Sequence, residues 1–307
     1  MQITKRQHYV WRFYLNKWID EKSMIACCRN GQIFRSNLMG IGQENYFYKL
    51  IDLTDKEIWC IKQLCIEDEF PDDLKEMDNA WIKAYTLPFK IINDMKNKGI
   101  YNNADFDKVI NEGEEKVYSK TEEIGKPYLD MLYNKDTSFY ETLKGQSDFN
   151  FFIFEQYFRT KKRVEAMKKG SNSELDFSRI WCVVRHILST NLSFNLMANN
   201  LASKKTYLKI VNNNTVKNFI TGDQPVINKY ATNEFQAKKG GSFEFYYPLS
   251  PKLAVLLTET NYSENELNIQ EEKIITELNY LIFSNSQEQI YGITETELER
   301  YKAMKRN

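Results

Sequence analysis

The chain has only two histidines, and one of them, His8, stands directly before the aromatic run Tyr9-Val10-Trp11-Arg12-Phe13-Tyr14-Leu15. An imidazole titrates near neutral pH, so it can serve as general acid, general base or metal ligand. A second set of reactive types lies mid-chain, where Gln156, Arg159 and Arg163 recur at helical spacing. Two guanidiniums one turn apart can clamp a phosphate or a carboxylate. A third candidate is Asp223, in Gly222-Asp223-Gln224-Pro225. Glycine removes bulk beside the carboxylate and Pro225 holds Gln224 extended, which places Asp223 at a strand end. Each has a plainer reading. The arginines can belong to a solvated face that continues into Lys161, Lys162, Lys168 and Lys169, Asp223 can bond only its own turn, and His186 can pack or sit at the surface.

The elements that must position these residues follow from periodicity and breakers. Residues 10–19 are apolar on most sides and form a short buried helix. Runs at 24–29 and 32–35, joined by Asn30-Gly31, make a type I′ hairpin, because both central residues tolerate positive φ. Helices are expected from Lys56 to about Lys98, interrupted between Glu67 and Asp73 near Pro71. Residues 111–132 begin as a helix and break at Gly125-Lys126-Pro127, with Glu112-Gly113-Glu114-Glu115 as an exposed acidic face. One helix over 148–169 is expected to turn Phe151, Phe154 and Phe158 inward and Gln156, Arg159 and Arg163 elsewhere. Another over 176–200 carries Asn191 within its apolar face, where burial would demand a partner.

After residue 204 the pattern is strand-like, at 206–211, 218–221, 243–247 and 253–257, and helical pattern returns at 271–283 and 294–306. The loop Lys238-Lys239-Gly240-Gly241 lacks phosphate-loop spacing, and Ser250 has no flanking elbow glycines. The reading is one α+β domain over 1–307. Its helical part covers about 50–200, an antiparallel β-rich part covers about 204–258 before a C-terminal helix, and the N-terminal β-hairpin can join that sheet.

Lys plus Arg and Asp plus Glu are equal at 42 each, so no net field draws the chain to nucleic acid or an anionic membrane; any such partner must meet a local patch. Local basic segments exist at 161–169, Lys204-Lys205 and Lys238-Lys239. The five cysteines are odd in number and lack paired C-x-x-C spacing, which favours buried thiols in a reducing cytoplasm. No apolar segment follows the initial charges and no run approaches about 20 apolar residues, so a cytoplasmic, membrane-free protein is expected.

Four segments in order, Gln7-His8-Tyr9-Val10 with Phe13-Tyr14-Leu15, Gln156-Tyr157 with Arg159-Thr160, 219–226, and Tyr247-Pro248-Leu249-Ser250-Pro251, together resemble the bacterial family catalogued as domain of unknown function 4238. That family usually shows His-Tyr-Val-Pro and Thr-Ser-Asp-Asn-Pro-Val; here Trp11 replaces the proline, and Gly222 and Gln224 replace the serine and asparagine. The resemblance implies that His8, Gln156, Arg159 and Asp223 form one set, without supplying an activity. Such a set suits phosphodiester hydrolysis by a nuclease-like effector, toxin-like or antiviral. His8 would move a proton, Arg159 would hold an anion, Gln156 would orient water and Asp223 would fix the histidine tautomer. Arg163, Lys162 and Gln7 are the expected substrate contacts, nucleic acid or a nucleotide the expected partner, and a divalent metal one cofactor the set would accept. The alternative is a non-catalytic binding or regulatory module in which the same residues are a structural polar network.

Overall fold

Asn30 and Gly31 both have positive φ, 50° and 77°, the left-handed pair that a type I′ turn needs, and the expected hairpin forms around them. A computed structural model describes residues 6–304 except 102, 204–205, 233–235 and 238–242; Lys204-Lys205 and Lys238-Lys239 therefore lie outside the described residues. In chain order the elements are β1 (Arg6–His8), α1 (Arg12–Leu15), β2 (Ile25–Arg29), β3 (Gln32–Ser36), β4 (Gln43–Asn45), α2 (Asp55–Cys65), α3 (Asp72–Asn97), α4 (Asn103–Tyr133), α5 (Leu143–Phe158), α6 (Lys161–Gly170) and α7 (Phe177–Ser203). There follow β5 (Tyr207–Asn213), β6 (Thr221–Gly222), β7 (Ile227–Asn228), β8 (Ala231–Thr232), β9 (Gln236–Ala237), β10 (Glu244–Ser250), β11 (Leu253–Thr258), β12 (Glu266–Ile269), α8 (Glu272–Asn285), β13 (Gln289–Gly292) and α9 (Glu295–Glu299).

The class is α+β. One sheet has the order β12-β5-β11-β10-β7, antiparallel except for the parallel β5–β12 pair. A second, β3-β2-β13-β6, takes the N-terminal hairpin, and β1 pairs with β4 alone. The hairpin thus joins a C-terminal strand, β13, which the sequence reading did not identify. The main core lies between these sheets, α1, α4, α5 and α8; a smaller one lies among α2, α3 and α7. A capping box at Thr54 and Glu57 starts α2, and Glu57 also pairs with Arg179 of α7 at 2.6 Å. All five cysteines are thiols, and no helix among the described residues is long and apolar enough to cross a membrane.

Four expectations need correction. The helix expected over 148–169 is two helices: Arg159 caps α5 and Thr160 is extended (φ −79°, ψ 158°). The cause is tertiary, because Gln224 takes the Thr160 hydroxyl through Oε1 and donates Nε2 to the Tyr157 carbonyl at 3.1 Å. Gly125-Lys126-Pro127 does not break α4. A Cβ on Gly125 would stand 2.1 Å from the Phe152 ring, so glycine there lets α4 close on α5 rather than turn the chain. The acidic stretch is not a solvated face, since Glu112 and Glu114 are buried and Glu114 pairs with Arg185 of α7. The terminal helix is short, α9 alone, with a capping box at Thr294 and Glu297. Asn191 does find a partner, donating to the Cys65 carbonyl at 3.0 Å.

Candidate active-site cavity

The first motif is positioned by backbone pairing. His8 lies opposite Gln43 in the β1–β4 ladder, and the amides of Tyr9 and Val10 both reach the Gly42 carbonyl, at 2.9 and 3.2 Å. Gly42 has φ +58°, and a Cβ there would come 3.1 Å from that of Val10, so this bend requires glycine. Trp11 then starts α1 with φ −64°. That is the angle proline would lock, so replacing the family's proline leaves the helix entry unchanged.

His8 is half-buried, with Nε2 3.3 Å from the Leu38 carbonyl. A carbonyl can only accept, so this contact puts the proton on Nε2 and leaves a lone pair on Nδ1. Burial, then the Arg12 guanidinium, lowers the His8 pKa to about 4, with Arg159 adding to the effect and the Leu38 bond opposing it. The ring is neutral at physiological pH.

Arg159 is almost fully enclosed, at 1% exposure. Its Nε donates to the Tyr48 hydroxyl (3.0 Å), Nη1 to Glu122 (2.7 Å) and Nη2 to the His8 carbonyl (2.8 Å), and its guanidinium lies 4.2 Å from the Tyr118 ring centroid. One side chain therefore ties the end of α5 to β1 and to α4.

These residues meet at an open cavity of about 320 Å³, lined by His8, Trp11, Arg12 and Phe13 on one side and Glu115, Tyr118, Ser119, Glu122 and Arg159 on the other. Burial raises both carboxyls above the ordinary glutamate value. Glu112 adds to this at Glu115, and at Glu122 the Arg159 charge opposes it. Arg12 is exposed and its Nη1 donates only to the Met39 sulfur, at 2.8 Å, among the described contacts, so it is the guanidinium open to a ligand. A neutral imidazole, an open guanidinium and two carboxyls whose pKa burial raises, one of them paired with Arg159, thus face one space, with aromatic rings beside them.

Gln156 and Asp223 do not line this cavity. Asp223 is 1% exposed and accepts the backbone N–H groups of Gln287 and Glu288 (2.7 Å each) and Gln289 (2.9 Å), fastening the turn between α8 and β13. Gln156 is buried, and its Nε2 has no hydrogen-bond partner among the described residues. Gln7 is sealed, donating to the Asn111 carbonyl (2.6 Å) and accepting from the Tyr48 amide (2.7 Å). Lys162 bonds Asn285 at 3.3 Å, and Arg163 stacks over the Tyr157 ring at 4.0 Å. No group of three or more His, Cys, Asp and Glu side chains among the described residues is arranged to hold a metal ion.

Sequence reasoning missed Arg12, Glu115, Tyr118 and Glu122. A signal existed: positions 115, 118, 119 and 122 fall on one face of α4, and Arg12 lies four residues after His8. Of the two plain readings of His186, packing rather than surface is the one seen, since the residue is fully buried. The His186 Nδ1–H donates to Glu155 (2.9 Å), Nε2 accepts from the Tyr85 hydroxyl (2.7 Å), and Trp81 stacks on the ring at 4.6 Å. Burial keeps this imidazole neutral against the pull of Glu155, which fixes that tautomer. Tyr85, Glu155 and His186 are all enclosed and bind α3, α5 and α7 together.

The segments that carried the resemblance touch one another. The Tyr14 hydroxyl donates to the Pro248 carbonyl (2.6 Å) and takes the Thr221 hydroxyl (2.5 Å), while Gln224 holds Tyr157 and Thr160. Fold and cavity define an α+β protein built around a shared polar frame with one mixed acid–base cavity against it. The chain belongs to the family described as protein of unknown function (DUF4238), which matches residues 6–296. No curated protein and no solved structure matches it.

Proposed function

We propose that the chain hydrolyses phosphodiester bonds, in the manner of a nuclease, at the cavity of His8, Arg12, Glu115 and Glu122. The observation that carries this reading is the meeting, in one open space, of a neutral imidazole, an exposed guanidinium and two carboxyls whose pKa burial raises. Lowering the one and raising the others favours the neutral form of each, which suits a base beside an acid. Burial is the main cause of the low His8 pKa; a phosphodiester anion beside Arg12 offsets the part that the guanidinium adds, which makes His8 a stronger base in the complex. His8 Nδ1 then takes a proton from the attacking water, Glu115 gives its proton to the leaving alkoxide, and Arg12 stabilises charge on the non-bridging oxygens. Trp11 and Phe13 offer stacking faces for a base. Arg159 holds Glu122 and the His8 backbone in place and is a positioning residue. A divalent metal, if used, would have to be shared with substrate oxygens, since these residues alone are no cage for it.

The test is cleavage of end-labelled single-stranded RNA and DNA by purified protein, with and without Mg²⁺. Wild type is expected to cut, and His8→Ala to lose about 100-fold or more in rate while melting at a similar temperature. No cleavage under any condition ends the reading. A toxin-like or antiviral role in the cytoplasm is the companion proposal, checked by growth arrest on expression and its relief by His8→Ala.

A non-catalytic module has its own support. Arg159 has all three nitrogens engaged, and Gln156, Asp223 and Gln7 are enclosed, as in a structural network. If the wild type binds oligonucleotide without cutting it, that reading replaces the first.

A further inference from the structure

A larger cavity, about 560 Å³, lies elsewhere, between the start of α5, the end of α7 and the start of β5, and shares no lining residue with the His8 cavity. Its wall includes Lys209 of β5, only 4% exposed. The ammonium donates to the Tyr262 carbonyl and to Asn265 Oδ1, each at 3.1 Å, and lies 5.6 Å from the Tyr207 ring centroid. No carboxylate among the described residues comes within 4 Å of it. Glu244, buried nearby through the Tyr262 hydroxyl, already pairs with Lys229. A buried cation with only neutral acceptors is costly, and an ammonium has three donors of which two are used. An anion in the cavity would take the third donor and offset the charge.

We infer that this cavity binds a nucleoside monophosphate, with the phosphate on Lys209 and the base against the tyrosines. Tyr262 is preset for that contact, since its hydroxyl is fixed to Glu244 at 3.1 Å, and Tyr207 presents a second half-exposed ring. Asn261 and Asn265 at the mouth supply amides for sugar or base edges. The volume lies in the range of small-molecule sites, and the inference does not rest on hydrolysis at the His8 cavity.

The test is isothermal titration calorimetry of the full chain with AMP, GMP, CMP and UMP, with adenosine, uridine and ribose 5-phosphate as comparisons. At least one nucleotide is expected to bind, and its nucleoside and ribose 5-phosphate to bind at least tenfold more weakly, about the worth of one charge-assisted bond. Lys209→Met should lose about tenfold or more. Because that variant could unfold, Asn265→Asp is the second arm. It gives Lys209 a built-in carboxylate and should melt at or above the wild-type temperature while losing nucleotide binding. The inference is overturned if no nucleotide binds, if nucleoside or ribose 5-phosphate binds equally well, or if a folded Asn265→Asp binds like the wild type.

Discussion

At the scale of single residues, His8 shows how far neighbours can move a group. Burial first, and then the charges of Arg12 and Arg159, take its pKa from 6.5 down to about 4 against the opposing bond to the Leu38 carbonyl. The sign follows directly. The folded state disfavours the proton, so between about pH 6.5 and 4 the unfolded chain binds it first and stability falls as pH drops through that window. An NMR titration of the two histidine rings should give a His8 midpoint near 4, shifting upward when inorganic phosphate is added, with the sealed His186 silent until unfolding. A midpoint at the ordinary 6.5 would remove the electrostatic basis of the cavity. His8 and Arg159 were legible in the sequence, as a rare residue type and a motif residue. Glu115 and Glu122 share one face of α4, but charge density there reads as solvated, and only the packing of α4 against β1 and α5 shows otherwise.

At the scale of elements, periodicity located the helices well, since α2, α3, α7 and α8 follow their apolar repeats. It failed at residues 159–160, where the interruption comes from Gln224, 64 residues away from Thr160. Local propensity has no term for such a contact. The same limit explains Asp223. A carboxylate at a strand end looks like chemistry, but its three backbone donors come from a turn more than 60 residues downstream. Asp223→Asn keeps the shape while replacing one acceptor by a donor and removing the charge. It should cost about 2–4 kcal/mol, from charge-assisted bonds and an unpaired N–H, and lower the melting temperature by roughly 5–10 °C. An unchanged melting temperature in calorimetry would show that the α8–β13 turn does not depend on it.

Across the whole molecule, the family segments do one job and the cavities do another. Tyr14, Thr221, Pro248, Gln224, Thr160 and Arg159 form hydrogen bonds that join chain regions between 64 and 234 residues apart, holding helices and sheets in one frame. The α+β class was readable from the change of pattern near residue 204; the merging of the N-terminal hairpin with β13 was not, because a four-residue strand carries too little alternation to register. In this account the frame presents His8 and Arg159 to a cavity whose open groups come from α1 and α4. The most direct measurement of that claim is the oligonucleotide cleavage rate of Arg12→Met. This side chain is exposed and bonds only the Met39 sulfur among the described contacts, so the fold should survive its loss. A fall of about 100-fold or more at an unchanged melting temperature, the scale of one lost electrostatic contact in a transition state, is the predicted result. Cleavage by Arg12→Met at the wild-type rate would contradict the account and move the active site elsewhere.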